Sequence, residues 1–333
     1  MVGSHAPQLS DRPQRSRRSC LVVPGSSAKM AAKARTLPAD QIILDLEDSV
    51  APGEKEVARE VVVRALRDSD WGTRTRAVRV NDCTTGWILR DIEQLIIGAG
   101  EHIDIIVVPK VQDRGQVEFI EHLIAQLEAE QGLEVGRIGL EFQIEDARGL
   151  VNIASILAAS RRVETVILGP GDLSAALGMP SLTIGEEQPN YPGDHWHWVL
   201  VTLLVHARNA GVQAVDGPYA RIRDVDGFEA AAGRSRTLGF DGKWVLHPDQ
   251  IESANRIYGI SLEAFERASD ILDAYAHATE MSRVGAVMFG DEMVDEATRK
   301  MAEANVVRGR AQGLQARRVA TNVPFHERVK SRT

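Results

Sequence analysis

The chain predicts an α/β protein, a (β/α)8 TIM barrel with a C-terminal helical lid segment. Two observations carry this. From Cys20 onward, eight short β-type runs alternate with amphipathic helical stretches, and eight such units suit a closed barrel better than an open doubly wound sheet. Nearly every run also ends in polar or ionisable groups, and in a barrel those ends meet on one face, where active sites sit.

The runs are CLVVP (20–24), IILDLED (42–48), AVRVN (77–81), IDIIVVPK (103–110), IGLEFQIED (138–146), VETVILGP (163–170), VQAVDGP (212–218) and GKWVLHP (242–248). Helical patterns fall at 54–68, 88–98, 114–130, 149–160, 194–210 and 223–238. The polar run ends are Asp45, Glu47 and Asp48, Arg79 and Asn81, Lys110, Glu145, Asp172, Asp216 and His247. No dinucleotide or P-loop glycine pattern follows the first run, which speaks against a nucleotide enzyme. The barrel is expected to close near Tyr258, giving a disordered segment 1–18, a catalytic barrel 19–260, and a helical lid with a basic tail, 261–333. The last part reads as a helix at 262–281, the string GAVMFGDEMVD, a helix at 294–312 and a fraying tail. It is expected to be too small for a core of its own and so to pack on its own barrel or a neighbour's.

Composition excludes several classes. The chain has 333 residues, 44% apolar and 26% charged, with a net charge of −8, so it can bury a sizeable core but makes a poor nucleic-acid binder. Cys20 and Cys83 show neither metal-ligand spacing nor a disulfide framework, which fits a reducing cytoplasm. Residues 1–19 hold no apolar h-region, and the longest apolar run, Val199 to Val205 with one threonine, is far short of the ~20 residues that span a bilayer. A soluble, cytoplasmic protein without a membrane partner is expected.

The chemistry centres on Ile138 to Asp172, where two neighbouring runs end in Glu145 and Asp172. Alone, Asp172 reads equally well as a helix cap, and Glu145 as a partner of Arg148. As a pair at adjacent strand ends they favour a metal, and an all-oxygen donor set points to Mg²⁺ over Zn²⁺, with Mn²⁺ able to substitute. The Gly-Pro-Gly before Asp172 opens a helix whose N–H groups suit a small carboxylate. Arg79 alternates with Val78 and Val80, so it shares a face with Asn81 and points away from the helices. Either it pairs with Asp45 or Glu47 as a buried charge must, or it stabilises a developing enolate, and both can hold. Lys29 and Lys33, four apart in VPGSSAKMAAKA, present one helical face. Phosphate binding and a solvated surface are equally good readings of them. In His195-Trp196-His197-Trp198 the two histidines cannot face one metal from a helix. His247 before Pro248 reads as a turn histidine, Lys110 as a structural residue beside the site, and Asp295 in GDEMVDE as part of a helix start.

The strings RSCLVVPGSS, LDLEDSVAP, VRVN, VVPK, QIEDARG, GPGDLS, DGPY, GFDGKWVLHPDQI and GDEMVD occur in this order between residues 18 and 296. With them the chain resembles the HpcH/HpaI aldolase superfamily, in its CitE-like branch of citrate lyase β subunits, malyl-CoA lyases and citramalyl-CoA lyases. NYPGDHWHW, AVDGPYA and GKWVLHPDQI are most similar to malyl-CoA and β-methylmalyl-CoA lyases.

The resemblance implies Mg²⁺ on Glu145 and Asp172, an acyl-CoA thioester oxygen at Arg79, and CoA phosphates near Lys29 and Lys33. It further implies that the N–H groups of Gly171 and Asp172 hold a small 2-oxo acid, with Asp45 and Glu47 behind Arg79. The C-terminal segment would cover the site of an adjacent subunit in a homotrimer or hexamer, where Asp295 does acid–base work. The loop departs from the family pattern at Lys29, often an arginine, and at Val23, often an aromatic. The implied activity is reversible cleavage of (3S)-malyl-CoA or β-methylmalyl-CoA to glyoxylate and acetyl-CoA or propionyl-CoA. The alternatives are a citramalyl-CoA lyase, a malyl-CoA thioesterase and a non-catalytic subunit resembling citrate lyase β.

Overall fold

The computed structural model describes residues 13–315 apart from 187, 189 and 280–284. The chain divides into two compact units, one running from Arg17 to Tyr258, the other taking Gln14–Ser16 and Gly259 onward. In the first, eight parallel strands close in sequence order: β1 Ser19–Pro24, β2 Gln41–Asp45, β3 Thr75–Arg79, β4 Ile105–Val108, β5 Gly139–Ile144, β6 Val163–Leu168, β7 Gln213–Asp216 and β8 Gly242–Val245. β1 pairs with both β2 and β8, which shuts the ring. Around it lie α1 Ala28–Ala34, α2 Lys55–Arg67, α3 Ile88–Ala99, α4 Arg114–Glu130, α5 Ala147–Leu157, α6 Pro170–Ala176, α7 His197–Ala210, α8 Val225–Leu238 and α9 Ile251–Tyr258. The barrel expected from the alternation is therefore present. No helix among the described residues is long and apolar enough to cross a membrane.

The period of two in each strand sorts its side chains into two apolar layers. Cys20, Ile43, Ala77, Ile105, Val107, Ile167, Val215 and Trp244 fill the barrel interior. The alternate residues, such as Ile42, Leu44, Val78, Ile106 and Val166, pack outward with the helices in a much larger cluster. Strands stop earlier than the sequence runs suggest because side chains take over the backbone. At the end of β2 the Asp45 carboxylate accepts from the N–H groups of Glu47 and Ser49, so Leu46 to Ser49 turn rather than continue the strand. Asn81 corrects another expectation. It lies beyond β3, where alternation no longer holds, and its amide donates to Asp91 on α3 rather than sharing the face of Arg79.

The opposite mouth of the barrel is closed by a charge. Arg17 is 1% exposed, and its guanidinium donates to Glu141 at 2.6 Å, to Glu164 at 2.7 Å and to Gln213. Gln41 also donates to Glu141. Arg18 makes a two-pronged pair with Asp40 at 2.8 and 2.7 Å. Arg17 and Arg18 thus leave the disordered segment assigned to 1–18, because two buried carboxylates at the starts of β5 and β6 require a cation. Residues 1–12 lie outside the described part of the chain.

The second unit holds α10 Leu262–His277, a hairpin of β9 Val287–Phe289 and β10 Glu292–Val294, and α11 Glu296–Ala311. Contrary to expectation it has a small core of its own: Phe265, Ala268, Ile271, Ala274, Phe289, Val294, Ala302 and Val306. Fifty residues suffice here because the hairpin supplies a third surface to the two helices. The basic tail beyond residue 315 lies outside the described residues.

Arg17→Met should lower the unfolding free energy by about 3–5 kcal/mol, because it strands two buried carboxylates. The loss should appear as a lower urea midpoint at unchanged slope, and Arg18→Ala at the partly exposed pair should cost less.

Candidate active site

The strand ends β2 to β6 bring together Asp45, Glu47, Arg79, Lys110, Glu145 and Asp172. Arg79 ends β3 at 7% exposure. Its Nε and Nη2 grip both oxygens of Asp45 at 2.7 and 2.8 Å. Nη1 lies 2.9 Å from Glu47 and 3.5 Å from the Gln143 side-chain oxygen. The ring of Trp244 lies 5.4 Å from the guanidinium. Both partners weighed for Arg79 are thus engaged at once. Of the five N–H groups of an arginine, this arrangement leaves one for a substrate oxygen.

The loop after β2 is built to hold Glu47. Lys55, buried at the start of α2, donates its ammonium to the carbonyls of Leu46 and Glu47 at 2.8 and 2.9 Å. Ser49 Oγ donates to Asp45 at 2.6 Å. From the other side Lys110 Nζ donates to Glu47 at 2.7 Å and lies 3.5 Å from Asp48 and 3.8 Å from Asp172. Lys110 is thus tied into the site, as its sequence reading allowed.

Glu145 does not pair with Arg148, which donates instead to Asp113. Its carboxylate is buried and accepts from the Lys110 N–H at 2.9 Å and from the Gln143 amide at 2.8 Å. Asp172 is the third residue of α6, not its cap. The cap is Gly169, which offers no side chain, so the first-turn N–H groups of Gly171 and Asp172 are left without a capping group. Gly169 has a second role: a Cβ there would lie 2.3 Å from Glu145 Oε2, so only glycine lets that carboxylate lie against the end of β6.

Electrostatics separate these acids. Burial pushes Asp45 up, but the guanidinium of Arg79 and its hydrogen bonds outweigh this and hold the carboxyl below its ordinary value. For Glu47 burial prevails over Arg79 and Lys110, and the carboxyl is raised. Glu145 is raised to about 8, first by burial and then by the charge of Glu47, with Asp172 adding to the repulsion and Arg79 and Lys110 opposing it.

These residues fit a hard divalent cation. The donors are carboxylate oxygens, and Glu145 is oriented by two hydrogen bonds. Burial first and then like charge raise its pKa, so a cation there would keep it ionised. No group of three or more His, Cys, Asp or Glu suited to a metal occurs among the described residues. Two carboxylates are nevertheless the usual protein share for Mg²⁺, with water and substrate oxygens completing the shell.

The remaining candidates stand elsewhere. Lys29 and Lys33 are exposed on α1, whose cap is Ser27. Asp295 belongs to the second unit, where it caps α11 by accepting from the Thr298 N–H at 3.0 Å. That bond, with others to its first turn, holds its carboxyl below the ordinary value. His247 caps the short turn Pro248–Gln250, as a turn histidine would. Trp196 stands at the N-cap position of α7 without a side-chain cap bond, so His195 precedes that helix and His197 opens it. Sequence reasoning missed Gln143 and Trp244. Gln143 was legible from parity, since it lies two residues before Glu145 and shares its face. Trp244 sits in a strand whose polar end drew attention to His247 instead.

The family model for HpcH/HpaI aldolase/citrate lyase matches residues 18–248. The chain is 37% identical over 303 residues to the L-malyl-CoA/beta-methylmalyl-CoA lyase of Rhodobacter capsulatus, covering 88% of this chain and 95% of that protein. It is 30% identical over 283 residues to the malyl-CoA/beta-methylmalyl-CoA/citramalyl-CoA lyase of Chloroflexus aurantiacus, covering 80% of each. A solved structure of the protein CitE from Mycobacterium tuberculosis, in complex with magnesium, acetoacetate and coenzyme A, is similar at 30% identity. Its TM-score is 0.66, over 89% of this chain and 98% of that one.

Glu145 generates a pH prediction for the metal-free protein. Its carboxyl keeps a proton up to about 8 when folded and releases it near 4.5 when unfolded. The folded state therefore binds more protons in that window, and the stability this contributes at low pH is lost as pH rises through it. Urea unfolding in EDTA should show wild type losing stability across the window relative to Glu145→Gln, and saturating Mg²⁺ should remove the loss. Parallel curves for the two proteins would contradict the raised pKa.

Proposed function

The chain belongs to the HpcH/HpaI aldolase/citrate lyase family, and from that premise we propose that it is a Mg²⁺-dependent carbon–carbon lyase acting on CoA thioesters. The reaction is the reversible cleavage of (3S)-malyl-CoA or β-methylmalyl-CoA to glyoxylate and acetyl-CoA or propionyl-CoA. The observation that carries it is Arg79, braced by Asp45 and Glu47, with Lys110 linking Glu47 to the buried Glu145 and lying 3.8 Å from Asp172 in the first turn of α6. One half of the site suits an oxo acid, the other a developing enolate.

Glu145 and Asp172 would hold the Mg²⁺, which when bound polarises the oxygens of the oxo-acid half. The N–H groups of Gly171 and Asp172 would orient the carboxylate of glyoxylate. Arg79 would donate to the thioester oxygen as negative charge develops on it. Because the guanidinium is already fixed, it need not reorganise at that moment. Lys29 and Lys33 would meet CoA phosphates from α1. The name of the Chloroflexus relative includes citramalyl-CoA, and room for one methyl is worth only about 1–3 kcal/mol, so pyruvate release belongs in the same test. Steady-state assays of malyl-, β-methylmalyl- and citramalyl-CoA should score glyoxylate, pyruvate and free CoA separately. Glyoxylate formation lost in EDTA and restored by Mg²⁺ or Mn²⁺ is the expected result. Free CoA released without an oxo acid would make the protein a thioesterase, and full activity in EDTA would remove the metal.

We further propose that the protein works as a homotrimer or hexamer in which Asp295 serves the site of a neighbouring subunit. Its carboxylate, ionised as the cap of α11, would remove the acyl-CoA α-proton in the condensation direction once released from those cap bonds, which weaken it as a base. Cleavage asks the same carboxyl to return that proton to carbon. Asp295→Asn and Arg79→Ala proteins should each be nearly inactive, and mixed oligomers of the two should regain activity. If they stay inactive after verified subunit exchange, Asp295 acts in its own chain or not at all.

A further inference from the structure

Among the described residues Lys110 alone, glycines aside, has a positive φ, +51°. That left-handed conformation crowds an L side chain against its own backbone, and glycine or asparagine is the usual occupant. The surroundings hold it there. Pro109 precedes it, and the carbonyl of Val111 after it lies so close to Gly149 of α5 that a Cβ there would be 2.3 Å away. Strain maintained by the surrounding structure at a cluster of charged groups points to a function for the strained residue.

We propose that Lys110 is a positioning residue that sets both halves of the site at once. The turn after β4 aims its N–H at Glu145 Oε1, 2.9 Å away, while its side chain returns over the strand ends to Glu47, 2.7 Å away. Glu47 in turn lies 2.9 Å from Arg79 Nη1. The backbone of Lys110 thus orients the carboxylate meant for the metal, and its ammonium pins the carboxylate that braces the guanidinium. Glycine would satisfy the backbone better but has no ammonium, which explains a lysine in a glycine conformation. This inference rests on the lyase reading for its second half only.

The two duties separate by mutation. Lys110→Gly keeps the left-handed turn and the N–H but deletes the ammonium. Its Mn²⁺ affinity, read from the free-ion EPR signal without substrate, should match wild type. Its kcat should fall about 10- to 100-fold, the usual loss for a group that orients others, with KM for the thioester little changed. Added ethylammonium should restore part of that kcat in a saturable manner and leave wild type unaffected, an effect that a merely structural lysine would not show. Lys110→Pro removes the N–H and, because proline fixes φ at about −65°, the left-handed turn with it, and should weaken Mn²⁺ binding by about the same 10- to 100-fold. Wild-type kcat in the glycine variant, or loss of Mn²⁺ binding in that variant while it remains folded, would overturn the proposal. If wild type cleaves none of the three thioesters the lyase reading fails, and the Mn²⁺ comparison of the glycine and proline variants still decides whether Lys110 positions Glu145. Should the proline variant not fold, Lys110→Val, whose branched side chain opposes the left-handed turn, takes its place, and Mn²⁺ affinity equal to that of the glycine variant would overturn the backbone role.

Discussion

A guanidinium at the end of β3, nearly out of reach of water, is the constraint from which the rest of the site follows. Such a charge is tolerable only when carboxylates surround it. Asp45 supplies both oxygens from the neighbouring strand, directly across the ladder in register with Arg79. Glu47 supplies a third from the turn that Asp45 itself shapes by accepting from the Glu47 and Ser49 backbones. One carboxylate therefore ends a strand, forms a turn and orients an arginine. The planar fork of Arg79 cannot rotate without losing both bonds to Asp45, which is why lysine is a poor substitute there.

The same arrangement leaves an imbalance of charge. Asp45, Glu47, Asp48, Glu145 and Asp172 gather around Arg79 and Lys110, five acids to two bases. Arg79 is largely committed to Asp45 and Glu47, and Lys110 sits nearest Glu47. Glu145 consequently bears burial and the repulsion of its neighbours with only distant compensation, and its carboxyl is raised to about 8. A divalent cation next to Glu145 and Asp172 would bring the cluster close to neutrality and keep Glu145 ionised. A cation here would in this sense answer the arginine clamp, since Glu47, which braces Arg79, also repels Glu145.

Where the sequence carried a period or a breaker, the fold was legible. Eight apolar runs separated by helical patterns yielded the barrel, the strand-end acids singled out Glu145 and Asp172, and alternation with Val78 and Val80 singled out Arg79. What was not legible depended on groups remote in sequence. Arg17 sits in a basic, polar segment, and only the folded ring brings Glu141 and Glu164 around it. The hairpin of the second unit did leave a signal, Gly290-Asp291 between two short apolar runs, with Gly290 at φ +62°. The acidic character of GDEMVD drew attention to its charge instead. The left-handed backbone of Lys110 left no signal at all, because nothing about a lysine announces it.

The division of labour proposed for the two units has a chemical rationale. The buried carboxylates around Arg79, and Asp172, each have a duty: Asp45 is held ionised by the guanidinium, Glu47 is shared between Arg79 and Lys110, and Glu145 and Asp172 are the oxygen donors suited to a metal. The more exposed Asp48 lies 3.5 Å from Lys110. An acid that bonds to a cation cannot also hand a proton to carbon; Asp45 is held deprotonated by the clamp, and Glu47 is committed to Arg79 and Lys110. Proton transfer at the α-carbon therefore calls for a carboxyl outside the clamp. It should also be one that moves in only when substrate is present, so that the thioester is shielded from water during the reaction. Asp295 meets the first condition by its place in a separate unit with its own core. Its cap bonds to Thr298 keep it ionised in this conformation. In the role proposed for it, Asp295 would have to give up those bonds, since they both hold it deprotonated and weaken it as a base.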